Sequence, residues 1–326
     1  MHRIRRVSGI LLVAGAVTAA ATAATSSTNL TLVAYSTPRA AYAQLIPAFQ
    51  GSSAGKDVSF TQSYGASGEQ SRAVLNGLKA DVVAFSLAPD VLRLVSPGLV
   101  AANWNKEKYK GMVTDSVVVL MVRPGNPKHI RSWNDLTKSG VEVITPNPFI
   151  SGGARWNVMA AYGAQLKAGK SPRQAYNYLV KLFKNVSVQD KSARESLQTF
   201  SSGKGDVLIG YENEAIFAKK QGVPLEYIVP SSTILIENPI AVVKSSSNAA
   251  KAKAFVKWLR APAAQKIFGN NGYRPVVKSV LKQFRFPKPA KLFNINYFGG
   301  WPKVQRQFFR QGTGIMVKVQ RAARGG

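Results

Sequence analysis

The sequence contains no cysteine, which excludes disulfide bonds, thiolate metal ligands and thiol nucleophiles. Only two of its 326 residues are histidines, His2 and His129. The sequence therefore gives little support for a catalytic triad or a metal site built on histidines. No nucleophile elbow, phosphate-binding loop or metal-ligand spacing occurs along the chain. We therefore predict a protein that is not an enzyme and that uses neither a cofactor nor a metal.

Acidic residues are also scarce, with 15 against 44 lysines and arginines, which gives a net charge of +29. The basic residues are spread along the chain, without a run of five or more and without the interleaved aromatics of nucleic-acid modules. We predict no nucleic-acid partner. A positive potential would still speed the encounter with small anions. A cationic exported protein that binds acidic polymers stays open as an alternative.

The N-terminus has the pattern of a cleaved targeting segment. Three arginines lie within the first six residues, an apolar or small run follows over 10–21, and Ala21-Thr22-Ala23 fits signal peptidase. The run is too short to span a bilayer. We predict a signal peptide over 1–24, with the Sec or twin-arginine route left open by a weak Arg5-Arg6 match. Without a cysteine after the run, a lipid anchor is excluded, and we expect a soluble periplasmic protein.

Short apolar strands alternate with helical patterns along the chain, which is typical of a parallel α/β sheet. The predicted strands are 30–35, 58–62, 81–85, 116–122, 141–145, 206–211 and 234–243. The predicted helices are 39–49, 69–78, 89–94, 133–137, 154–167, 172–183, 195–200, 213–220 and 249–260. The apolar runs near 117–122 and 235–243 are interpreted as strands that cross between two lobes. The basic, aromatic tail over 284–326 is weakly periodic and is expected to wrap the outside.

Three loops place a serine and small residues at the start of a predicted helix. A helix N-terminus has unpaired N–H groups and roughly half a positive charge, so it attracts anions. For any one loop an ordinary N-cap is the simpler interpretation. Two consecutive glycines before a long helix instead indicate a need for close approach. The three starts are Ser67-Gly68, Ser151-Gly152-Gly153 and Ser192-Ala193.

Two weaker candidates for catalysis are better explained by structure. His129 follows Asn126-Pro127-Lys128 in a polar loop, where a solvated surface role is expected. Glu212 and Glu214 flank Asn213 at a strand end and could form an acid/base pair. Carboxylates that favour a helix N-terminus are commoner in that position.

Several long motifs are specific. The segment from Thr145 to Asn157, TPNPFISGGARWN, resembles the signature of the sulfate- and thiosulfate-binding proteins of bacterial ABC importers. Four further groups of residues resemble the same family. They are 125–128 with 133–136, 205–209 with 212–215, 273–275, and 298–301. The similarity runs in order from about residue 30 to about residue 314.

This resemblance implies a two-lobed, type II periplasmic-binding-protein fold, with two mixed sheets flanked by helices and a ligand cleft between the lobes. We expect the first lobe to comprise 28–116 and 239–326 with its wrapping tail, and the second lobe to comprise 117–238. It also implies a monomer that captures sulfate or thiosulfate and delivers it to ABC transporter permease subunits. Another oxyanion, such as molybdate or phosphate, remains an alternative.

In this family the anion is held by main-chain N–H groups and neutral side chains. Carried over by alignment, the donors are the hydroxyls of Ser67 and Ser151 and the N–H groups of Gly152, Gly153 and Ala193. Two further ligand positions depart from the family pattern. Ser36 replaces an aspartate that contributes its N–H, and Tyr211 replaces a tryptophan whose indole contacts the anion. Arg155 is expected to support the loop before it and not to touch the ligand.

Overall fold

The computed structural model describes residues 28–325. The strands are β1 Thr28–Tyr35, β2 Val58–Gly65, β3 Val82–Ala84, β4 Met112–Val122, β5 Val143–Ile144, β6 Val186–Val188, β7 Val207–Tyr211, β8 Glu226–Ile228, β9 Ser232–Val242, β10 Arg274–Pro275 and β11 Lys291–Phe293. The α-helices are α1 Arg39–Gln50, α2 Ser67–Leu75, α3 Ala88–Val95, α4 Gly152–Lys167, α5 Pro172–Lys184, α6 Ala193–Ser201, α7 Glu212–Lys220, α8 Ala249–Trp258, α9 Pro262–Asn270, α10 Lys278–Leu281, α11 Trp301–Phe308 and α12 Ile315–Ala323. Short 3-10 helices occupy Trp133–Thr137 and Ile295–Phe298.

The first half of the sheet system contains β2, β1 and β3 as parallel neighbours, with β9 antiparallel to β3. Side chains alternate along β1 because successive residues of a strand face opposite sides. Leu30 and Leu32 face a core formed with α1, α8 and α9, while Val33 faces a second core formed with α2 and α3. The carboxyl ends of β1 and β3 therefore lead into the loops that hold Ser36 and the residues before α3.

The second half contains β6, β5 and β7 as parallel neighbours, with β4 antiparallel to β7. Along β4, Val118 and Leu120 face the core under α4 and α5, while Val119 and Met121 face the core under α6 and α7. Both halves are thus mixed sheets with helices on each face.

The two long strands β4 and β9 connect these halves. Their central residues pair with each other, with Asp115 opposite Glu237 and Val117 opposite Leu235. The later part of β4 then pairs with β7, and the end of β9 pairs with β3. The predicted crossing strands and the two-lobed α/β architecture are confirmed. The residue boundaries of the lobes stay a prediction.

The C-terminal tail differs from the sequence expectation. Its last two helices have apolar faces that pack onto α4 and α5, and α11 also contacts α3. The buried residues of these faces are Trp301, Val304, Phe308, Met316 and Val319. Both helices are short, with eight and nine residues, so neither has enough turns to show a clear period in the sequence. The prediction also omitted α9 and the short strands β6 and β8, which have too few residues to show a pattern.

The predicted signal peptide over 1–24 lies outside the described residues. From Thr28 to Gly325, no helix is both long enough and apolar enough to cross a membrane. The same residues hold no group of three or more His, Asp or Glu side chains that could bind a metal ion.

Candidate functional site

The N-terminus of α4 presents a set of free hydrogen-bond donors. Ser151 is the N-cap residue, yet its hydroxyl makes no capping hydrogen bond within residues 28–325. Gly152 and Gly153 form the start of the helix, where N–H groups have no intrahelical acceptor. Neither N–H finds another partner in the described chain. The arrangement can therefore donate to a small anion from two amides and one hydroxyl.

Gly152 lies at a close approach between the two halves of the molecule. A Cβ atom at this position would be 2.2 Å from Leu87 Cδ2 and 2.9 Å from Ser86 Oγ, both on the segment that follows β3. Real Cβ atoms do not come so near, so only glycine fits here. The sequence signal for close approach was correct, but the approaching group includes the opposite lobe.

Gly153 marks the place where the predicted residues converge. A Cβ atom here would lie 3.4 Å from Ser151 Oγ, 3.5 Å from Ala193 Cβ and 3.6 Å from Tyr211 Cε1. These are ordinary contact distances, so space remains around the helix start. The geometry brings α4, α6 and the end of β7 to one point, as expected from the sequence for these four residues.

Ser67 has a different role in this structure from the one carried over by alignment. It is the first residue of α2 and not its N-cap, and its hydroxyl donates to Asp90 Oδ2 at 2.6 Å. The same oxygen accepts the backbone N–H of Ser86 at 3.0 Å. A hydroxyl has one hydrogen, and here that hydrogen points to Asp90. Donation from Ser67 to an anion would require this bond to break.

Tyr211 ends β7 and reaches across to the first half of the sheet. Its Oη lies 2.6 Å from Ser86 Oγ, on the segment after β3. Burial raises the pKa of the Tyr211 phenol well above its ordinary value, so the hydroxyl keeps its hydrogen at neutral pH. Ser86 was not among the predicted residues. Its signal was available, since a small polar residue follows a fully buried strand at the carboxyl edge of a parallel sheet.

Ala193 and Ser36 are the remaining residues predicted to bind the anion. Ser192 is a true N-cap, because its hydroxyl accepts from Glu195 N at 3.2 Å, and this leaves the Ala193 N–H without an acceptor in the described chain. Arg194 Nη2 donates to the carbonyl of Thr37 at 3.1 Å, which holds the segment after β1 close to α6. Ser36 directly precedes Thr37, so its backbone lies one residue from this contact with α6.

Arg194 and Arg155, beside the starts of α6 and α4, are bound by other groups. Arg194 makes two bonds to Glu214, at 2.8 and 2.9 Å, and its guanidinium lies over the Phe217 ring. Arg155 Nε donates to Pro148 O at 2.9 Å and its guanidinium lies over Phe309. This contact agrees with the expected support of the loop by Arg155, although its buried Nη1 has no partner in the described chain. The polar groups at the convergence point are neutral.

Glu212 and Glu214 are accounted for by ion pairs. Glu212 Oε2 accepts from Arg274 Nε at 2.7 Å, and Glu214 is bound by Arg194 as described. Both carboxylates occupy the first turn of α7. Their position matches the interpretation as helix N-terminal carboxylates. His129 is exposed in its loop, far along the chain from these residues.

Comparison with known proteins places this arrangement in a family. The model of the bacterial extracellular solute-binding proteins matches residues 30–274. The chain belongs to this family. It is 42% identical over 308 residues to the sulfate-binding protein of Synechococcus elongatus, covering 91% of this chain and 88% of that one. It is 37% identical over 323 residues to the thiosulfate-binding protein of Pseudomonas aeruginosa, covering 94% and 96%.

Solved structures agree with this assignment. The sulfate-binding protein of Mycobacterium tuberculosis superposes with a TM-score of 0.85 at 44% identity, covering 86% of this chain and 99% of that one. In the present structure the two lobes of the chain are in contact. Gly68 N donates to Ile150 O at 3.2 Å, and Trp156 Nε1 donates to Ser86 O at 2.8 Å. The convergence point thus lies between lobes that are closed on each other.

Proposed function

We propose that the protein captures sulfate, or the related thiosulfate, between its lobes and delivers it to an ABC importer. The observation that carries this proposal is the convergence at Gly153. Ser151 Oγ, Ala193 and Tyr211 all lie within contact distance of one helix start whose amides have no protein acceptor in the described chain. The names of the relatives support the choice of anion.

The energetics of such a site are consistent with tight binding. A micromolar affinity corresponds to about −8 kcal/mol. Each hydrogen bond to a charged group contributes about 1.5–3 kcal/mol, so the four donors of Ser151, Gly152, Gly153 and Ala193 supply roughly 6–12 kcal/mol, a range that includes this value before the cost of dehydrating a dianion is subtracted. Sulfate is fully deprotonated at neutral pH and needs no acceptor. Hydrogen phosphate would place its proton against amides that cannot accept it.

The cellular setting follows from the same proposal. A solute-binding protein of an importer works outside the cytoplasmic membrane, and we place this one in the periplasm after removal of residues 1–24. It would act as a monomer that docks on permease subunits with its lobes closed. Its role is binding and transfer, without a chemical step.

A titration of the purified chain, beginning near Thr28, tests the proposal directly. Calorimetry against sulfate, thiosulfate, molybdate and phosphate should give saturable one-to-one binding, tightest for sulfate or thiosulfate. The absence of heat with every one of these anions, from protein shown to be folded, would reject the proposal. Tightest binding of molybdate or phosphate would instead select the alternative oxyanion, which the Tyr211 hydroxyl in place of an indole keeps under consideration.

A further inference from the structure

Ser86 is a buried polar residue at the lobe interface whose N–H, carbonyl and hydroxyl groups all have hydrogen-bond partners. It is 1% exposed and follows β3 directly. Its N–H donates to Ser67 Oγ, and its carbonyl accepts from Trp156 Nε1 at 2.8 Å and from Asn238 Nδ2 at 3.0 Å. Its hydroxyl lies 2.6 Å from Tyr211 Oη. The position of its hydroxyl is therefore fixed from three sides.

This fixed hydroxyl lies beside the helix start that the proposed function uses. Ser86 Oγ is 2.9 Å from the point where a Cβ on Gly152 would be, and the Tyr211 ring is 3.6 Å from the corresponding point on Gly153. The two hydroxyls thus approach α4 from opposite lobes and meet at its first turn. Neither is exposed to bulk solvent, since Tyr211 is also 1% exposed.

A count of hydrogens shows what the pair can offer. Each hydroxyl has one hydrogen and two lone pairs. The contact at 2.6 Å uses one of the two hydrogens, in either direction. Apart from the Asn238 side chain beside Tyr211 Oη, whose Nδ2 donates to Ser86 O, the described residues offer the other hydrogen no partner. The pair can therefore donate one hydrogen bond to a ligand, and either hydroxyl oxygen can be the donor.

We propose that Ser86 is a further anion-binding residue, which shares with Tyr211 one hydroxyl hydrogen that is donated to the oxyanion. This inference rests on the proposed function and deepens it. In the free protein the pair joins the lobes, and on binding it adds one neutral donor to those of Ser151 and the amides. Loss of either partner frees the hydrogen of the other, so the two residues substitute for each other.

The test is a double-mutant cycle on the full chain, with sulfate affinity measured by calorimetry. The single variants Ser86→Ala and Tyr211→Phe should each bind sulfate within about fivefold of the unchanged protein, since one hydroxyl remains to donate. The variant with both changes should bind more weakly by a further factor of roughly ten to a hundred, the value of a hydrogen bond to a charged group. This excess over the product of the two single effects is the expected signature.

The control is Tyr178→Phe, which removes a buried hydroxyl that donates to Trp133 O at 2.6 Å away from the lobe interface. It should leave sulfate affinity unchanged, and thermal unfolding should show that every variant folds. Single effects that multiply to the double effect would overturn the shared donor. A Ser86→Ala loss as large as that of the double variant would overturn it too, because Ser86 would then act alone or only position Tyr211. If the unchanged protein bound no oxyanion, the proposed function itself would fail.

Discussion

The starts of α2 and α4 have the same local design and different uses. Each has a serine followed by glycine, with Ser67 as the first residue of α2 and Ser151 as the N-cap of α4, and each lies at the lobe interface. At α4 the Ser151 hydroxyl and the Gly152 amide have no protein partner in the described chain. At α2 the Ser67 hydroxyl donates a hydrogen bond to Asp90, and the Gly68 amide donates one to Ile150 O in the other lobe. One start is a donor site and the other is a lobe contact.

The difference is decided by tertiary neighbours and not by the motif. Asp90 is a fully buried carboxylate, 23 residues away in sequence, and it needs donors to offset its lost hydration. Arg93 supplies one at 3.0 Å and Ser67 supplies another. No carboxylate stands in this position opposite Ser151. A serine and a glycine before a helix therefore predict available donors but not where their hydrogens go.

The largest expected effect comes from placing a charge at the α4 start. Gly152→Asp adds a side chain within 2.2 Å of Leu87 Cδ2 and a carboxylate beside the proposed anion position. Sulfate affinity should fall more than about a hundredfold, because steric conflict and like-charge repulsion act together. Calorimetric titration measures the loss.

A matched control for this change exists elsewhere in the chain. Gly51→Asp makes the same substitution at an exposed position with φ −71°, where a Cβ would meet nothing closer than 3.6 Å. It should leave sulfate binding as it is. Equal effects of the two substitutions would mean that net charge and not the α4 start controls binding.

A second comparison removes the two serine hydroxyls in turn. Ser151→Ala should weaken sulfate binding roughly ten- to a hundredfold, with stability changed by less than about 0.5 kcal/mol, since this hydroxyl makes no cap bond. Ser67→Ala should cost about 1–3 kcal/mol of stability, because Asp90 loses a donor, and should affect sulfate less. Denaturant unfolding and calorimetry on both variants give the two numbers. The opposite ranking would show that the two helix starts have exchanged roles.

A smaller effect is expected from the lobe contact at α2. A Cβ on Gly68 would lie 2.6 Å from Ile150 O, so Gly68→Ala must separate the lobes slightly. Sulfate affinity should fall by about tenfold through faster dissociation, because closure becomes less favourable. Stopped-flow binding separates the two rates. A change confined to the association rate would argue against closure as the cause.

The smallest effect on sulfate binding concerns the strands that join the lobes, which lie outside both helix starts. Burial, together with Glu237 opposite it on β9, raises the pKa of Asp115 to about 8, while Arg274 on β10 opposes this shift. The unfolded chain releases this proton near pH 4, so between there and pH 8 the folded state binds more protons and stability falls as pH rises. The slope is at most about 1.4 kcal/mol per pH unit.

Asp115→Asn is the variant that checks this pH dependence. Its unfolding free energy should vary less between pH 5 and pH 8 than that of the unchanged protein, as followed by denaturant titration. The contrast between Ser67 and Ser151 should persist at both pH values. An identical slope in the two proteins would assign the pH dependence to another group.

Much of the fold could be predicted from the sequence because its signals are local. The apolar runs of β4 and β9, and the helix predicted over 172–183, depend on neighbouring residues and were identified correctly. The packing of α11 and α12 onto α4 and α5 was not, since these helices are short and their partners lie more than a hundred residues earlier in the chain. The end of the chain packs against distant helices, and a short stretch of sequence does not show which helices these are.

The candidate site also has some features that follow from local sequence and others that depend on tertiary contacts. Gly152 was expected to need close approach, and its position against Leu87 agrees with that expectation. The partner of Ser67 and the role of Ser86 depend on which residues of distant strands and helices come together, so they could not be derived from spacing. The site assignments of Ser36, Ser67, Ser151, Gly152, Gly153, Ala193 and Tyr211 stay predictions until a bound anion is located.

A crystal structure with bound selenate tests the central claim most directly, since selenate has the shape and charge of sulfate and its selenium gives an anomalous signal. The account predicts one strong peak between the lobes, with oxygens within hydrogen-bond distance of Ser151 Oγ and of the amides of Gly152, Gly153 and Ala193. A peak held instead by lysine or arginine side chains, or an interlobe cleft without selenate at saturating concentration, would contradict it.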